Sequence, residues 1–541
     1  MSNTFHLADL WEALTDAGPD DECLVADPVR HTRKSLDDAA NRLAHVLLAL
    51  NVAPGDHVAI YARNRGEYLE SLLGCWKIAA RPININWRYV ADELRYVMAD
   101  ANIQAIIIER AYLSLLDEIA SEFPPLKVVL VLEDGNPIQP TVLTTLDYAA
   151  SLASARSDRD FGRVEHRNND DVYMLYTGGT TGMPKGVMWR HEDFFYGCLM
   201  GGNPIGPIAA PAEIKNNATP SFSLDALVLG PLMHGGGQWL SLIAMFSGNR
   251  AIVSTDTSFA PDRVLDLIDR ERPQTIGLIG DAMGRPIAEM ALAHPGRWDL
   301  SSLISIGNGG AMLTVSIKAQ LMQAFPNAMM TDSFGASETG AAGRAAESDN
   351  KAGPAFASDG NTTVLDPDTL EPLKPGSEEI GLLARRGYIP LGYWKDADKT
   401  AKTFKTDASG VRWVIPGDFA MLDDQGHVVL LGRGSGCINS GGEKIFPEEV
   451  EGAIRSHADV LDAVVVGVPD ERFGQKVVAL VSLRETAELL TLEVLQDHCR
   501  TKIAGYKVPR ELLLGNAPRT NVGKPDYATA QSIALAALTL G

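Results

Sequence analysis

The sequence predicts an α/β fold: a large N-terminal domain of doubly wound sheets with a small β-barrel-like subdomain, then a smaller α+β C-terminal domain. Strand and helix patterns alternate over residues 1–330, which favours largely parallel sheets covered by helices. Turn-forming residues then recur every few positions over residues 341–433, as they do between short strands. With 541 residues, the chain is too long for a single core.

The first 170 residues contain the clearest alternation. The motif Ser35-Leu36-Asp37-Asp38 is typical of a helix start, and apolar residues at helical spacing follow it. Strands are predicted at residues 57–61, 82–86 and 105–108, and helices at 67–79 and 92–99. Ligands of doubly wound sheets bind beyond the carboxyl ends of the strands, so polar or glycine-rich segments at these ends are candidate sites.

A glycine- and threonine-rich segment at residues 177–186 follows the apolar strand 172–176. Its small residues let backbone N–H groups converge on an anion, and its hydroxyls can donate hydrogen bonds or bind a metal. Lys185 adds a positive charge for phosphate. The common phosphate-loop pattern is absent, because Met183 and Pro184 separate Gly182 from Lys185. We place this segment at the carboxyl end of a strand of the parallel sheet and predict that it binds nucleotide phosphate.

Residues 171–330 continue the alternation, with a helix at 262–270 and short strands at 275–279 and 303–306. Two more glycine-rich strand ends follow, at residues 307–310 and 331–340. The stretch 226–249 has no charged side chain and is long enough to span a bilayer. Because Pro231, His234 and three glycines interrupt it, we predict a buried strand, a glycine turn and a buried helix instead. Contact with a membrane surface remains an open alternative.

Glycine and serine are most frequent around residues 432–442, where we place a domain boundary. The N-terminal domain then covers residues 1–433, divided into α/β subdomains at 1–170 and 171–330 and a β-rich subdomain at 331–433. The C-terminal domain covers residues 434–541. It has a helix starting at Pro447, strands at 464–466 and 477–481, and a tight turn that presents Lys524.

The overall composition excludes some functions. Net charge is −21, from 48 basic and 69 acidic residues, which argues against a nucleic-acid partner. Five scattered cysteines, without metal-ligand spacing, predict free thiols in a reducing, cytoplasmic location. The N-terminus has no signal-peptide pattern.

Four motifs in order resemble the adenylate-forming (AMP-binding) superfamily, which includes acyl-CoA synthetases, luciferases and the adenylation domains of peptide synthetases. They are residues 176–186, residues 334–339, Gly417-Asp418 with Gly432-Arg433, and Gly523-Lys524. The resemblance covers nearly the whole chain and implies two half-reactions. A carboxylate attacks the α-phosphate of ATP to give an acyl-adenylate and pyrophosphate, and a thiol then displaces AMP.

The resemblance also implies roles for individual residues. Lys524 would bridge the carboxylate and the α-phosphate, and Glu338 would bind Mg²⁺ together with Thr180. Phe334 replaces a usual tyrosine and would stack on adenine, while Ser337 stands where a threonine is usual. The implied nucleotide-binding residues are Thr177, Gly178, Gly179, Thr180, Thr181, Gly182, Lys185, Asp332, Ser333, Phe334, Asp418, Arg433 and Lys524. Asp418 and Arg433 would hold the ribose, and Lys185 would be an auxiliary phosphate contact.

Three further assignments follow from the resemblance. His234 would be the gate between the carboxylate and thiol sites, and with Lys524, Glu338 and Ser337 it forms the implied catalytic set. The acyl-binding residues would be His234, Gly309, Gly310, Ala311 and Ala336, and the CoA-binding residues Ser440, Gly441, Gly442 and Glu443. The family's small domain swings between the half-reactions about a hinge, which we place near residues 433–437, although no charged residue follows Arg433 at the expected place.

The substrate class follows from the predicted acyl pocket, which is mostly apolar or small. Asp225 is the only acidic residue within 222–232, and its surroundings do not match the motif of amino-acid-activating members. Residues 176–190 and 432–444 look most like bacterial fatty-acyl or steroid side-chain CoA ligases. We therefore expect an acyl-CoA synthetase for a hydrophobic carboxylic acid, using ATP, Mg²⁺ and CoA, as a monomer or homodimer.

Three alternatives remain. An acyl-AMP ligase would load a carrier protein instead of CoA, and an aryl-CoA ligase would take an aromatic acid. A non-enzymatic relative is disfavoured, because Thr180, Glu338, Asp418, Arg433 and Lys524 are all present.

Overall fold

The computed structural model describes residues 4–162, 167–178, 183–310, 313, 315–346, 355–377, 379–433, 438–445, 447–484, 487, 490–519 and 525–539. The helices are α1 (Leu7–Ala17), α2 (Arg33–Ala49), α3 (Gly66–Lys77), α4 (Ala91–Asp100), α5 (Leu113–Ala120), α6 (Tyr148–Ala153), α7 (His191–Gly197), α8 (Gly235–Phe246), α9 (Pro261–Glu271), α10 (Gly280–Ala293), α11 (Val315–Ala324), α12 (Ala397–Thr403), α13 (Pro447–Arg455), α14 (Leu492–Arg500) and α15 (Tyr527–Thr539). Short 3₁₀ turns occupy Arg110–Tyr112, Met200–Gly202, Pro211–Ala218 and Gly505–Lys507.

The strands of the N-terminal half are β1 (Glu22–Ala26), β2 (Val29–Thr32), β3 (His57–Tyr61), β4 (Arg81–Asn84), β5 (Ala105–Glu109), β6 (Val128–Leu132), β7 (Leu146–Asp147), β8 (Val172–Gly178), β9 (Pro184–Arg190), β10 (Ala226–Val228), β11 (Ala251–Val253), β12 (Thr275–Leu278), β13 (Ser305–Asn308) and β14 (Met329–Ala336). The later strands are β15 (Gly340–Ala345), β16 (Ala355–Ala357), β17 (Thr362–Leu365), β18 (Gly381–Arg385), β19 (Gly392–Tyr393), β20 (Phe404–Thr406), β21 (Arg412–Val414), β22 (Asp418–Leu422), β23 (Val428–Arg433), β24 (Ile438–Ser440), β25 (Glu443–Ile445), β26 (Val460–Asp470), β27 (Gly474–Leu483) and β28 (Glu511–Leu514).

Two parallel sheets share a layer of helices between them. One sheet has the strand order β4-β3-β5-β6-β7, and in the other β1, β11, β10, β12, β13 and β14 are neighbours. Successive residues of a strand point to opposite faces, so Val58 and Ile60 of β3 face the shared layer of α1, α2, α3 and α8. Ala59 and Tyr61 face α4 and α5 on the outside. Helices α9, α10 and α11 cover the outer face of the second sheet.

The second sheet continues through β14 into antiparallel strands. β14 is parallel to β13 over Met329–Asp332 and antiparallel to β15 from Ser333 onward. Strands β16, β23, β22, β18, β21 and β20 follow in that order. The predicted run of short strands after residue 330 is therefore present.

The predicted place of the glycine- and threonine-rich segment is wrong. Its strand, β8, pairs antiparallel with β9, and these two strands form a separate three-stranded sheet with β19. The chain reverses because a second strand begins at Pro184, where Val187 and Trp189 alternate with less buried residues. The described ends of the segment, up to Gly178 and from Met183 onward, therefore belong to or adjoin these two antiparallel strands and do not follow a strand of a parallel sheet.

Two other details differ from the predictions. Helix α2 begins at Arg33, because Thr32, not Ser35, is the N-cap and accepts a hydrogen bond from the Ser35 N–H. The sheets also do not separate at residue 170. Strand β1 pairs with β11, so the start of the chain belongs to the sheet of residues 226–336.

The uncharged stretch 226–249 folds as predicted, into strand β10, a turn and helix α8, which has 12 residues. Among the residues described, no helix has the length and apolar character needed to cross a membrane. Cys23, Cys75, Cys198 and Cys499 are unpaired and buried, in agreement with the predicted free thiols. Burial raises the pKa of the Cys499 thiol to about 11.

The C-terminal part is an α+β unit built on the strand order β25-β24-β27-β26, with β28 beside β27. Helices α13 and α14 pack on one face of this sheet, where Ile454 and Leu495 are buried. Helix α15 covers the other face through Ala530 and Ala534.

A buried ionic cluster joins α1, α2 and α3. The Lys77 ammonium is fully buried and lies 2.6 Å from Asp37 and 2.9 Å from Glu12. Burial opposes ionisation of Glu12, but Arg167 and Lys77 outweigh it and lower its pKa to about 2. Glu12 is therefore ionised at neutral pH.

We expect Lys77→Met to destabilise the protein by about 3 kcal/mol, because two buried carboxylates lose their shared ammonium and keep only one guanidinium each, Arg167 for Glu12 and Arg159 for Asp37. The melting temperature of the full chain measures this effect. The matched control is Lys34→Met in α2, which removes an exposed ion pair of 2.6 Å with Asp38 and should change stability by about 0.5 kcal/mol or less. Equal melting temperatures for the two variants would contradict the prediction.

Candidate active site

Asn84, at the end of β4, connects the hairpin to the turn that carries His234. Its buried amide donates hydrogen bonds to the carbonyl oxygens of Tyr176, at 2.8 Å, and Met233, at 2.7 Å. Its oxygen accepts a bond from the Tyr176 N–H at 2.7 Å. The predicted phosphate segment and the predicted gate therefore lie side by side. Sequence reasoning missed Asn84, although a polar residue that ends a buried strand was an available signal.

Asn64 supports the same turn from the end of β3. Its oxygen accepts a hydrogen bond from the Leu232 N–H at 2.8 Å, and its amide donates to the Gly230 carbonyl at 3.1 Å. The turn then enters α8 at the glycine triplet. A side chain at Gly237 would collide with the carbonyl oxygens of Gly230 and Pro231, so this position requires glycine.

Hydrogen bonds join the ends of β12, β13 and β14. The Asn308 side chain accepts a hydrogen bond from the Gly280 N–H at 2.8 Å and donates to Asp332 at 2.9 Å. The Asp332 carboxylate also forms an ion pair with Lys318 of α11. Ser333 donates to the Asn308 carbonyl at 3.3 Å. Asp332 and Ser333 are thus together at the predicted adenine edge, beside Gly309 and Gly310.

Phe334 packs its ring against the β-rich part of the chain. The ring makes an edge contact with Phe356, with centroids 4.7 Å apart, and Phe334 is half-buried. Gly343 leaves room for the ring, since a side chain there would collide with it. A ring supported in this way offers a fixed surface for stacking.

Glu338 is held by the three-stranded sheet of the hairpin. Tyr393 of β19 donates its hydroxyl to the Glu338 carboxylate at 2.9 Å. Trp189 of β9 donates its indole N–H to the Ser337 carbonyl at 3.0 Å. Within the described part of the chain, no lysine or arginine lies within ion-pair distance of Glu338. A half-buried carboxylate without a cationic partner fits a hard divalent ion.

Lys185, predicted to contact phosphate, forms an ion pair with Asp396 at the start of α12. The Lys185 ammonium lowers the pKa of Asp396. Lys185 is therefore engaged within the hairpin region in this structure.

Asp418 and Arg433 are paired residues on the antiparallel strands β22 and β23. The motif pair that the sequence places 15 positions apart is therefore adjacent in space. Asp418 is partly exposed, as a ribose contact requires.

The turn after β24 brings the C-terminal part to His234. Glu443 lies 3.2 Å from His234 Nε2 and also forms an ion pair with Arg88. Burial opposes ionisation of Glu443, but His234 and Arg88 lower its pKa to about 2. A side chain at Gly442, which has a φ of +85°, would collide with Ile279 beyond β12. The predicted CoA-binding turn and the predicted gate are thus in direct contact.

Several predicted residues lie outside the described part of the chain. They are Gly179, Thr180, Thr181, Gly182, Ala311, Lys524 and the proposed hinge residues 434–437. The Arg433 side chain is also undescribed. Roles for these residues stay predictions from the sequence.

Two family models match the chain. The model for the AMP-binding enzyme covers residues 11–394, and the model for the AMP-binding enzyme C-terminal domain covers residues 449–524.

Curated relatives match over nearly the full length. A medium/long-chain-fatty-acid–CoA/3-oxocholest-4-en-26-oate–CoA ligase of Mycolicibacterium smegmatis is 42% identical over 98% of this chain and 96% of its own. A 3-oxocholest-4-en-26-oate–CoA ligase of Rhodococcus rhodochrous is also 42% identical, over 97% and 95%. The medium-chain acyl-CoA ligase Mig of Mycobacterium avium is 39% identical, over 99% and 100%.

Solved structures share the fold. The amide bond synthetase McbA from Marinactinospora thermotolerans matches with a TM-score of 0.78 at 22% identity, over 97% of this chain and 99% of its own. The o-succinylbenzoate CoA synthetase MenE from Bacillus subtilis matches with a TM-score of 0.78 at 20% identity, over 97% and 98%. The predicted α/β fold with a large N-terminal and a smaller C-terminal domain is confirmed.

Proposed function

The chain belongs to the AMP-binding enzyme family, and from this premise we propose that it is an ATP-dependent acyl-CoA synthetase for a hydrophobic carboxylic acid. The acid is a medium- or long-chain fatty acid or a steroid side-chain acid, the classes named for its relatives at about 40% identity. The contact of 3.2 Å between His234 and Glu443 carries the two-step proposal. This contact joins a turn of the C-terminal domain to His234, the proposed gate between the carboxylate and thiol sites.

In the first step, the acid's carboxylate attacks the α-phosphate of ATP and pyrophosphate leaves. The hairpin tip holds the β- and γ-phosphates, while Asp418 and Arg433 hold the ribose. Lys524 places its ammonium between the attacking carboxylate and the α-phosphate, where negative charge develops. Glu338 and Thr180 would hold a Mg²⁺ ion, which would supply positive charge to neutralise the phosphates.

In the second step, the thiol of CoA attacks the acyl carbon of the adenylate, and AMP leaves. The turn of Ser440, Gly441, Gly442 and Glu443 lines the thiol's approach, and Gly442 packs on Ile279 without a side chain between them. The ionised Glu443 holds the His234 ring at one edge of this path. Arg88 anchors the turn through its ion pair with Glu443, and its guanidinium lies over the Trp87 ring.

The contacts of Asp225 support a substrate acid that has no amino group. Its carboxylate accepts hydrogen bonds from the backbone N–H of Arg250, at 2.8 Å, and from the guanidinium of Arg250, at 2.7 Å. Asp225 is buried and therefore committed to the scaffold. Loading of a carrier protein and activation of aryl acids are the alternative activities. Four buried, unpaired cysteines are compatible with the reducing cytoplasm that we propose as the location.

Exchange of labelled pyrophosphate into ATP tests the first step across fatty, aryl and steroid acids. We expect exchange with dodecanoic and longer fatty acids or with a steroid side-chain acid, and release of the acyl-CoA thioester once CoA is added. Aryl acids are the matched comparison. Exchange without thioester formation would favour a carrier protein, and no exchange with any acid would contradict the proposed enzyme.

A further inference from the structure

We propose that Lys507, held between Glu93 and Glu449, is the positioning residue that fixes the C-terminal domain in the pose for thioester formation. The inference rests on the proposed two-step function and concerns how the second step is set up. Lys507 and Glu449 belong to the C-terminal domain, and Glu93 lies in the first turn of α4 of the N-terminal domain. The cluster therefore joins the two domains.

We call the cluster of Lys507, Glu93 and Glu449 the latch; its three charged side chains are buried. The Lys507 ammonium lies 2.7 Å from Glu93 and 2.6 Å from Glu449. The side chains of all three are at most 6% exposed. Glu93 also accepts a hydrogen bond from the Val90 N–H at 3.2 Å, which ties it to the start of α4. The rings of Tyr89 and Tyr506 lie within 6 Å of the ammonium.

The latch lies beside the contact that the second step requires. Arg88, next to Tyr89, forms the ion pair with Glu443, and its guanidinium lies 5.8 Å from the Tyr506 ring. Glu443 in turn contacts His234. Closing the latch therefore also places the turn of Ser440 to Glu443 at the gate. A step that needs this turn at His234 depends on the latch, whereas a step that needs another domain position does not.

Two carboxylates and one ammonium leave a surplus negative charge in the closed cluster. Glu449 faces Lys507, Glu93, Tyr89 and Tyr506, and its second carboxylate oxygen has no hydrogen-bond partner among the described residues. Burial, aided by the charge of Glu93 and opposed by Lys507, raises the pKa of Glu449 to about 7. Closing the latch near neutral pH therefore takes up a proton at Glu449.

The direction of the pH effect follows from this raised pKa. In the open state Glu449 regains water and loses Glu93, so its pKa returns toward the usual value of about 4.5. The closed pose is then fully favoured in acid and is progressively lost as the pH rises toward about 7. Above that pH both states are ionised, and the effect is constant.

Two variants of the full-length enzyme test the latch, each measured in both half-reactions with dodecanoic acid. Lys507→Met should slow conversion of preformed dodecanoyl-AMP by CoA about a hundredfold, since two buried carboxylates lose their cation. Its ATP–pyrophosphate exchange should stay within about threefold of the parent. Glu449→Gln imitates the protonated carboxyl at every pH. The ratio of parent to variant rates in the thioester step should fall about tenfold or more from pH 5 to 7 and then level off.

The matched control is Asp92→Asn, in the same helix turn as Glu93. Asp92 faces Lys502 across the same domain boundary at 3.8 Å, but both side chains are exposed, so neither half-reaction should change appreciably. Equal losses in both half-reactions for Lys507→Met would overturn the inference, as would a Glu449→Gln profile that parallels the parent. If Lys507→Met does not fold, the pH profile of Glu449→Gln still tests the inference. A parent without pyrophosphate exchange would instead refute the proposed function.

Discussion

Replacing Lys524 with alanine should lower the rate of acyl-adenylate formation by about a hundred- to a thousandfold, which is the usual effect of losing one donor to developing charge. In the proposed reaction, the ammonium stabilises the α-phosphate while the carboxylate attacks it. Thioester formation from preformed acyl-AMP should stay within about threefold of the parent, because the phosphoanhydride bond of ATP is already broken. Pyrophosphate exchange and single-turnover thioester formation measure the two rates separately.

The control for Lys524→Ala is Lys476→Ala in the same domain. Lys476 pairs with Glu511 at 2.8 Å on the small sheet and is not one of the predicted site residues, so its loss should change neither rate. Equal loss of both half-reactions in Lys524→Ala would refute the proposed role. Such a result would mean that the residue supports the domain or binds a group common to both steps.

Glu338→Gln should lower adenylation by about a hundredfold at millimolar Mg²⁺, because a neutral amide is a weaker ligand for a hard divalent ion than a carboxylate. The structure supports this expectation through a carboxylate that Tyr393 holds at 2.9 Å and that has no lysine or arginine partner among the described residues. Raising the Mg²⁺ concentration should restore part of the lost rate. Titration of the exchange rate with Mg²⁺ measures both effects.

Tyr393→Phe is the graded comparison for Glu338→Gln. It keeps the carboxylate but removes the hydrogen bond that orients it, so about tenfold more Mg²⁺ should be needed for the same rate. The exposed Glu371→Gln serves as the control for loss of a carboxylate and should leave the titration unchanged. If Glu338→Gln lowered the rate without altering the Mg²⁺ dependence, the metal role would be wrong.

Where local patterns predicted a helix or a strand, the structure has one at that place, because these elements depend on neighbours in sequence. Strand β3 matches the predicted range, and α9 starts at Pro261, one residue before the predicted start. The pairing of strands was harder. The pairing of β1 with β11 joins residues more than 200 positions apart, and no local signal marks such a pair. The hairpin of β8 and β9 was not predicted, because a glycine-rich segment after an apolar strand fits a parallel sheet as well as a hairpin.

In the candidate site, too, local patterns predicted some residues and not others. Motif residues such as Asp418 and Arg433 were found because their spacing is characteristic, and the structure pairs their strands. Residues that hold the motifs in place were not found. Asn84 and Tyr393 act through hydrogen bonds to distant segments, and only the folded chain shows which segments those are. Lys507 was missed for the same reason, since a lysine in a short turn is usually a solvated charge.

The phosphate segment joins two antiparallel strands, β8 and β9, and this affects how ATP is attracted. Helix amino ends contribute about half a positive charge to phosphate sites, whereas sheets have only small net dipoles. Helix α7, the next described helix along the chain, begins at His191, at the end of the hairpin opposite the tip. In a chain of net charge −21, we expect the attraction of ATP to come from a bound divalent ion and from the lysines predicted at the site. Nucleotide affinity should accordingly fall steeply with added salt and with chelation of divalent ions, so the cell's supply of free magnesium would limit acid activation as directly as its supply of ATP.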